Sequence, residues 1–104
     1  MIILVVCSSG MSSTLVVSRM MKVVKEQQKD YQIMATSVDC AEDYFDIADI
    51  ILLGPQIADY ETYMKEKSGK MVAVMNRLHY GRCRGDLILQ ESEEAYQVYK
   101  EKRG

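Results

Sequence analysis

Tryptophan is absent from this chain of 104 residues, and proline, phenylalanine and histidine occur once each. With six glycines and one proline, the chain has none of the composition of collagen, low-complexity tracts or flexible linkers. A hydrophobic share of 48% beside a charged share of 27% supplies the means to bury a core. The length fits one domain, so residues 1–104 are read as a single folded unit. Charge of one sign is also missing: 13 Lys and Arg face 15 Asp and Glu, a formal net charge of -2. No overall basic field attracts phosphate backbones, and nucleic acid is not expected as a partner.

Cysteine is scarce and unpaired in spacing. Cys7, Cys40 and Cys83 are odd in number and far apart, which fits neither a disulfide framework nor a zinc site, so no metal is expected. A reducing, cytoplasmic setting suits such thiols. Long apolar runs are lacking as well. The run Ile2 to Val6 is too short for an export signal, and Val6 is not the small residue that lipoprotein processing at Cys7 would need. No direct membrane insertion is expected.

What is present is alternation. Ile2 to Val6 are five aliphatic residues, four of them β-branched, the pattern of a strand covered on both faces. Thr14 to Gln28 follows with Val16, Met20, Val23 and Val24 on one helical face. Tyr31 to Thr36 reads as a shorter strand and Cys40 to Ile47 as a short helix. Asp49 to Leu53 is a second aliphatic strand, stopped by Gly54-Pro55. A helix is predicted over Gln56 to Lys67, a fourth strand over Met71 to Met75, and a C-terminal helix over Leu87 to Lys102. Asn76 to Asp86 has no clear period. Strands separated by helical segments require right-handed crossovers, so the fold class is α/β: a single-domain, four-stranded parallel sheet, doubly wound. Ligands of such sheets gather at the carboxyl ends of the strands, and Cys7 stands there, ahead of the first helix.

Cys7 is followed by Ser8, Ser9, Gly10, Met11, Ser12 and Ser13. Small residues between a strand and a helix let backbone amides converge on one point in front of a positive helix end, and Gly10 widens the choice of dihedral angles. This setting binds an anion and favours thiolate over thiol. Cys7 is therefore the candidate nucleophile, and Ser8 to Ser13 form the candidate phosphate-binding loop, a phosphatase-like P-loop after the first strand. The charge agrees: Arg19, Lys22 and Lys25 make the first 25 residues formally +3, with no acid before Glu26. The acidic stretch containing Asp39, Glu42, Asp43, Asp46 and Asp49 is expected away from the phosphate. The bland alternative is that Cys7 is a small hydrophobe closing a strand.

A low-molecular-weight tyrosine-phosphatase-like enzyme is the alternative enzyme reading, since its loop runs Cys, five residues, Arg. Here Ser13 stands in the arginine position, which removes the bidentate phosphate clamp. No Asp-Pro general acid follows the fourth strand; Asp86 is the only acid in that region. A loop lacking both stabilises phosphocysteine without helping water attack it. A non-catalytic regulatory module on the same fold is the third reading.

These residues resemble a known family. Cys7-Ser8-Ser9-Gly10-Met11-Ser12-Ser13 after a hydrophobic strand is similar to the phosphorylation loop of the IIB subunit of the bacterial sugar phosphotransferase system, in its lactose, cellobiose and chitobiose class. Ala48-Asp49-Ile50-Ile51-Leu52-Leu53-Gly54-Pro55-Gln56-Ile57-Ala58 resembles its second signature, and Tyr80-Gly81 matches a Tyr-Gly common after the fourth strand. The resemblance implies a phosphoryl carrier. Cys7 would take phosphate from a phosphohistidine of the IIA protein and pass it to a sugar, a β-linked disaccharide such as cellobiose, chitobiose or lactose, at the IIC membrane permease. No cofactor is implied, and a monomer is expected.

Other residues carry bland readings. His79 is expected to be a packed or surface residue, and Cys40 and Cys83 to be inert. Arg77, Arg82 and Arg84 follow the fourth strand and are read first as solvated charges, second as a docking aid for a phosphorylated partner. Gln56 either hydrogen-bonds near the loop or starts its helix.

Overall fold

The structure, a computed structural model, describes residues 1–8 and 14–103. Four strands, β1 (Ile2–Cys7), β2 (Gln32–Ser37), β3 (Ile50–Leu53) and β4 (Met71–Val74), form one sheet in the order β2-β1-β3-β4. All neighbouring pairs are parallel, with Cys7 in register with Ser37 and Val6 with Leu53. Every strand therefore ends at the same edge. The α-helices are α1 (Thr14–Glu26), α2 (Glu61–Ser68), α3 (Arg77–Gly81) and α4 (Gly85–Arg103), and 3₁₀ helices span Val38–Tyr44 and Pro55–Tyr60.

Alternation along β1 explains the two layers. Ile3 and Val5 pack with Ile50, Leu52, Val16, Val17, Met20, Ile88 and Leu89, so α1 and α4 cover one face. Leu4 and Val6 pack with Ile51, Leu53, Ala41, Phe45, Ile57 and Met64, so the 3₁₀ helices and α2 cover the other. Aliphatic residues without alternation are what a strand buried on both sides requires, and the doubly wound reading holds. At the edge away from Cys7, Asp49 accepts the Ile2 amide at 2.7 Å, and Lys29 and Tyr31 both hydrogen-bond Glu93 of α4.

The short helix expected over Cys40 to Ile47 is a 3₁₀ helix at Val38–Tyr44, and three further differences from the expected elements stand out. The helix expected over Gln56 to Lys67 is broken: Ile57 turns inward to the core at φ -119° and ψ 29°, after which α2 begins at Glu61. The aperiodic stretch Asn76 to Asp86 contains α3, too short to show a hydrophobic period; the Asn76 side chain caps it by accepting the His79 amide at 3.0 Å. The last helix starts at Gly85, two residues early, where the chain passes so close to α1 that no side chain fits.

Candidate functional site

Cys7 ends β1 at the carboxyl edge of the sheet, followed by exposed Ser8, and α1 starts at Thr14. This is the strand-to-helix turn where parallel sheets collect ligands. By alternation Cys7 shares a face with Ile3 and Val5, the face that α1 covers. Its side chain is 0% exposed, among the buried core residues, and Sγ is 4.0 Å from the Thr36 carbonyl oxygen. Burial is greater than a nucleophile at a sheet edge leads one to expect. Ser9, Gly10, Met11, Ser12 and Ser13, the rest of the expected phosphate loop, lie outside the described residues. The first turn of α1 holds no acid.

β3 brings a second group to the same place. A Cβ built on Gly54 would lie 3.6 Å from Cys7 Cβ and 3.0 Å from Gln56 Oε1. The Gln56 side chain thus folds back over Gly54, and Gln56 stands second in the 3₁₀ helix Pro55–Tyr60, in keeping with the reading that it starts its helix. Beyond Gln56 lies an open cleft of about 300 Å³ lined by Pro55, Gln56, Arg77, Tyr80 and Gly81. Its placement depends on α3, which had no signal in hydrophobic period; the asparagine that caps it was the one readable mark.

The acidic stretch is divided rather than remote. Asp49 is at the far edge, bonded to the Ile2 amide. Asp39, however, lies two residues beyond Ser37, the register partner of Cys7, so the stretch begins at the site's own edge. The reason is the crossover itself: the short connection from β2 to β3 must run from one edge to the other, carrying its acids along.

The arginines after β4 separate by role. Arg84 is forked onto Asp86, with bonds of 3.0 and 2.9 Å, and this hydrogen bonding lowers the Asp86 carboxyl from 3.8 to about 2. Arg77 and Arg82 are exposed and form no ion pair among the described residues. His79 pairs with Glu91 of α4 and so ties α3 down, a structural task. Cys40 is exposed in the first 3₁₀ helix; Cys83 is half-buried at φ 55°, its carbonyl accepting from Arg19 at 3.4 Å. Among the described residues no helix is long and apolar enough to cross a membrane.

Comparison with known proteins shows the family and the fold. Residues 2–91 match the family described as the lactose/cellobiose-specific IIB subunit of the phosphotransferase system, PTS. A galactose-specific EIIB component of the PTS from Lactococcus lactis subsp. cremoris is 34% identical over 88% of this chain and 93% of its own length. A cellobiose-specific EIIB component from Lactococcus lactis subsp. lactis is 33% identical with the same coverage. The solution structure of a cellobiose-specific phosphotransferase IIB component from Borrelia burgdorferi superposes with a TM-score of 0.79 at 30% identity, covering 94% of this chain and 93% of that one. A lactose-specific IIB domain from Streptococcus pneumoniae shares the fold, with a TM-score of 0.81 at 19% identity over 92% of this chain and 97% of its own.

Proposed function

This chain belongs to the lactose/cellobiose-specific IIB subunits of the sugar phosphotransferase system, and we propose that Cys7 is its phosphoryl-carrying nucleophile. An IIB component is a phosphotransferase. The donor is a phosphohistidine of the IIA protein and the final acceptor a sugar hydroxyl at the IIC permease. In the first step the Cys7 sulfur forms an S–P bond as the P–N bond breaks; the leaving imidazole nitrogen takes up the proton that the thiol gives up. In the second, a sugar oxygen forms a P–O bond as the S–P bond breaks, and the hydroxyl proton returns to sulfur. Both steps ask for positioning and charge stabilisation more than for acid or base groups.

The observation that carries this reading is the place of Cys7: last residue of a central parallel strand, one helix start ahead, with Gly54 at the end of the neighbouring strand beside it. Ser8 to Ser13 are assigned as the phosphate-binding loop on their composition and position between β1 and α1. Burial of the sulfur keeps bulk water away, which suits an ester that must survive until the acceptor arrives; attack on the donor requires the sulfur to be uncovered when the donor engages. The action is assigned to the cytoplasm. The sugar is assigned to the β-linked disaccharides, cellobiose, chitobiose or lactose; relatives named for galactose, cellobiose and oligo-β-mannoside show that the class is broader than one compound.

The test is reconstituted phosphorylation with phosphorylated IIA, read by intact mass and peptide mapping away from acid and iodine. One phosphate on the Cys7 peptide, lost in Cys7→Ser, is expected. Unchanged incorporation in Cys7→Ser rejects the assignment, and Cys7-dependent turnover of p-nitrophenyl phosphate would return the phosphatase reading.

A further inference from the structure

The carboxyl edge of the sheet is electrically lopsided about Cys7. On the β2 side the chain continues from Ser37 into a 3₁₀ helix carrying Asp39, Glu42 and Asp43. On the β3 side the second 3₁₀ helix carries Gln56 and Asp59, and on the β4 side comes α3, with Arg77 inside it and Arg82 directly after. An anion approaching from the β2 side meets carboxylates; from the β4 side it meets the guanidinium groups of α3.

α3 is built to display its outer side. Inward, Tyr80 is buried in the core and His79 is paired with Glu91; at its start Asn76 caps the His79 amide. Outward, Leu78 is 56% exposed, the most exposed large apolar side chain among the described residues, and Arg77 and Arg82 have no carboxylate partner among them. Arg84 shows the contrast, since Asp86 already occupies its fork. The cleft that Arg77 lines holds no acid: its other walls are Pro55, Gln56, Tyr80 and Gly81, and Gln56 lies over Gly54, the neighbour of Cys7. A rigidly held helix showing one large apolar residue between two uncommitted cations fits a protein surface with an apolar contact and an anionic rim.

We propose that Arg77, Leu78 and Arg82 form the docking lip for the phosphorylated donor protein, which enters from the β4 side with its phosphohistidine dianion directed across the Arg77 cleft toward Cys7. This rests on the carrier reading of Cys7. The lip steers and seats the donor, so its arginines act on the encounter; they do not touch the reacting phosphorus, and the acidic β2 side repels the same donor in the opposite orientation.

The experiment measures the second-order rate of phosphate transfer from phosphorylated IIA to the full chain at low and high salt. Variants are Arg77→Glu, Arg77→Ala and Leu78→Ser, with Lys100→Glu as a control far along α4. Thermal unfolding is recorded for each. The expected result is a slowing of about tenfold or more in Arg77→Glu at low salt, a smaller loss in Arg77→Ala, and a salt dependence weaker than in the unaltered chain. Leu78→Ser slows transfer at both salt concentrations. Lys100→Glu leaves the rate unchanged, and all variants still reach one phosphate on Cys7. Unaltered donor rates in Arg77→Glu, or a loss confined to onward transfer to the permease, overturn the docking lip while leaving the carrier reading intact. An unaltered chain that takes no phosphate on Cys7 removes both.

Discussion

Gly85, the first residue of α4, meets the backbone of Met20 in α1: a Cβ built there would lie 2.6 Å from the Met20 amide nitrogen and 2.8 Å from the Arg19 carbonyl carbon. Backbone cannot swing aside as a side chain can. This crossing fixes α1, the helix that follows the Cys7 loop, against the start of α4, and α3 reaches that start through Cys83 at φ 55°. The helix behind the proposed nucleophile and the helix bearing the docking lip are thereby held in one frame.

Gly85→Ala should destabilise the fold by about 1–3 kcal/mol, since overpacking against backbone forces a shift of α1 or α4. Denaturant unfolding checks it, and a midpoint equal to that of the unaltered chain would show the crossing to have slack.

Leu53 is fully buried at the end of β3, among Leu4, Val6, Ile57 and Met64. Leu53→Ala should cost about 2–5 kcal/mol through lost transfer energy and the cavity left behind. Val98, half-exposed on α4, gives the contrast: its change to alanine should stay within about 0.5 kcal/mol. Equal losses in the two would contradict the placement of the core.

The three thiols should react with a neutral alkylating reagent in the order of their exposure. Cys40 is exposed, Cys83 half-buried and Cys7 fully buried, so peptide mapping at short times should find label on Cys40 first and on Cys7 last. Cys7 labels at the rate of local opening, and mild denaturant should speed it more than it speeds Cys40. Immediate labelling of Cys7 in native buffer would place its sulfur at the surface.

Asp86 should titrate near 2, because Arg84 hydrogen-bonds its carboxylate. Its folded value is depressed, so the contribution of the pair is present above the ordinary carboxylate value and is lost as pH falls from about 4 through 2. Carbon-detected NMR follows the midpoint directly, and Arg84→Ala should return it toward 3.8. The pair is exposed, so its effect on global stability is small. A midpoint near 3.8 in the unaltered chain would dissolve the fork.

Several features were legible in the residues alone. The aliphatic runs Ile2 to Val6 and Asp49 to Leu53 marked strands buried on both faces, and the stretches between them were long enough to cross the sheet. Parallel order and double winding followed, as did the position of Cys7 at a strand end ahead of a helix. The sequence resemblance supplied the family that the comparisons show. Less readable were α3, five residues long and without a period, and the break at Ile57, where inward packing overrode a helical pattern.

By itself the sequence determined which segments must be buried and therefore which fold class can hold them, because periodicity and apolar run length are local properties. Only the tertiary structure decided that Gln56 lies over Gly54, that Asp86 occupies Arg84 while Arg77 and Arg82 form no ion pair among the described residues, and that the acids of the first 3₁₀ helix and the arginines of α3 stand on opposite sides of one sheet edge. These relations join residues separated along the chain. They depend on strand order and helix approach, which no local pattern encodes.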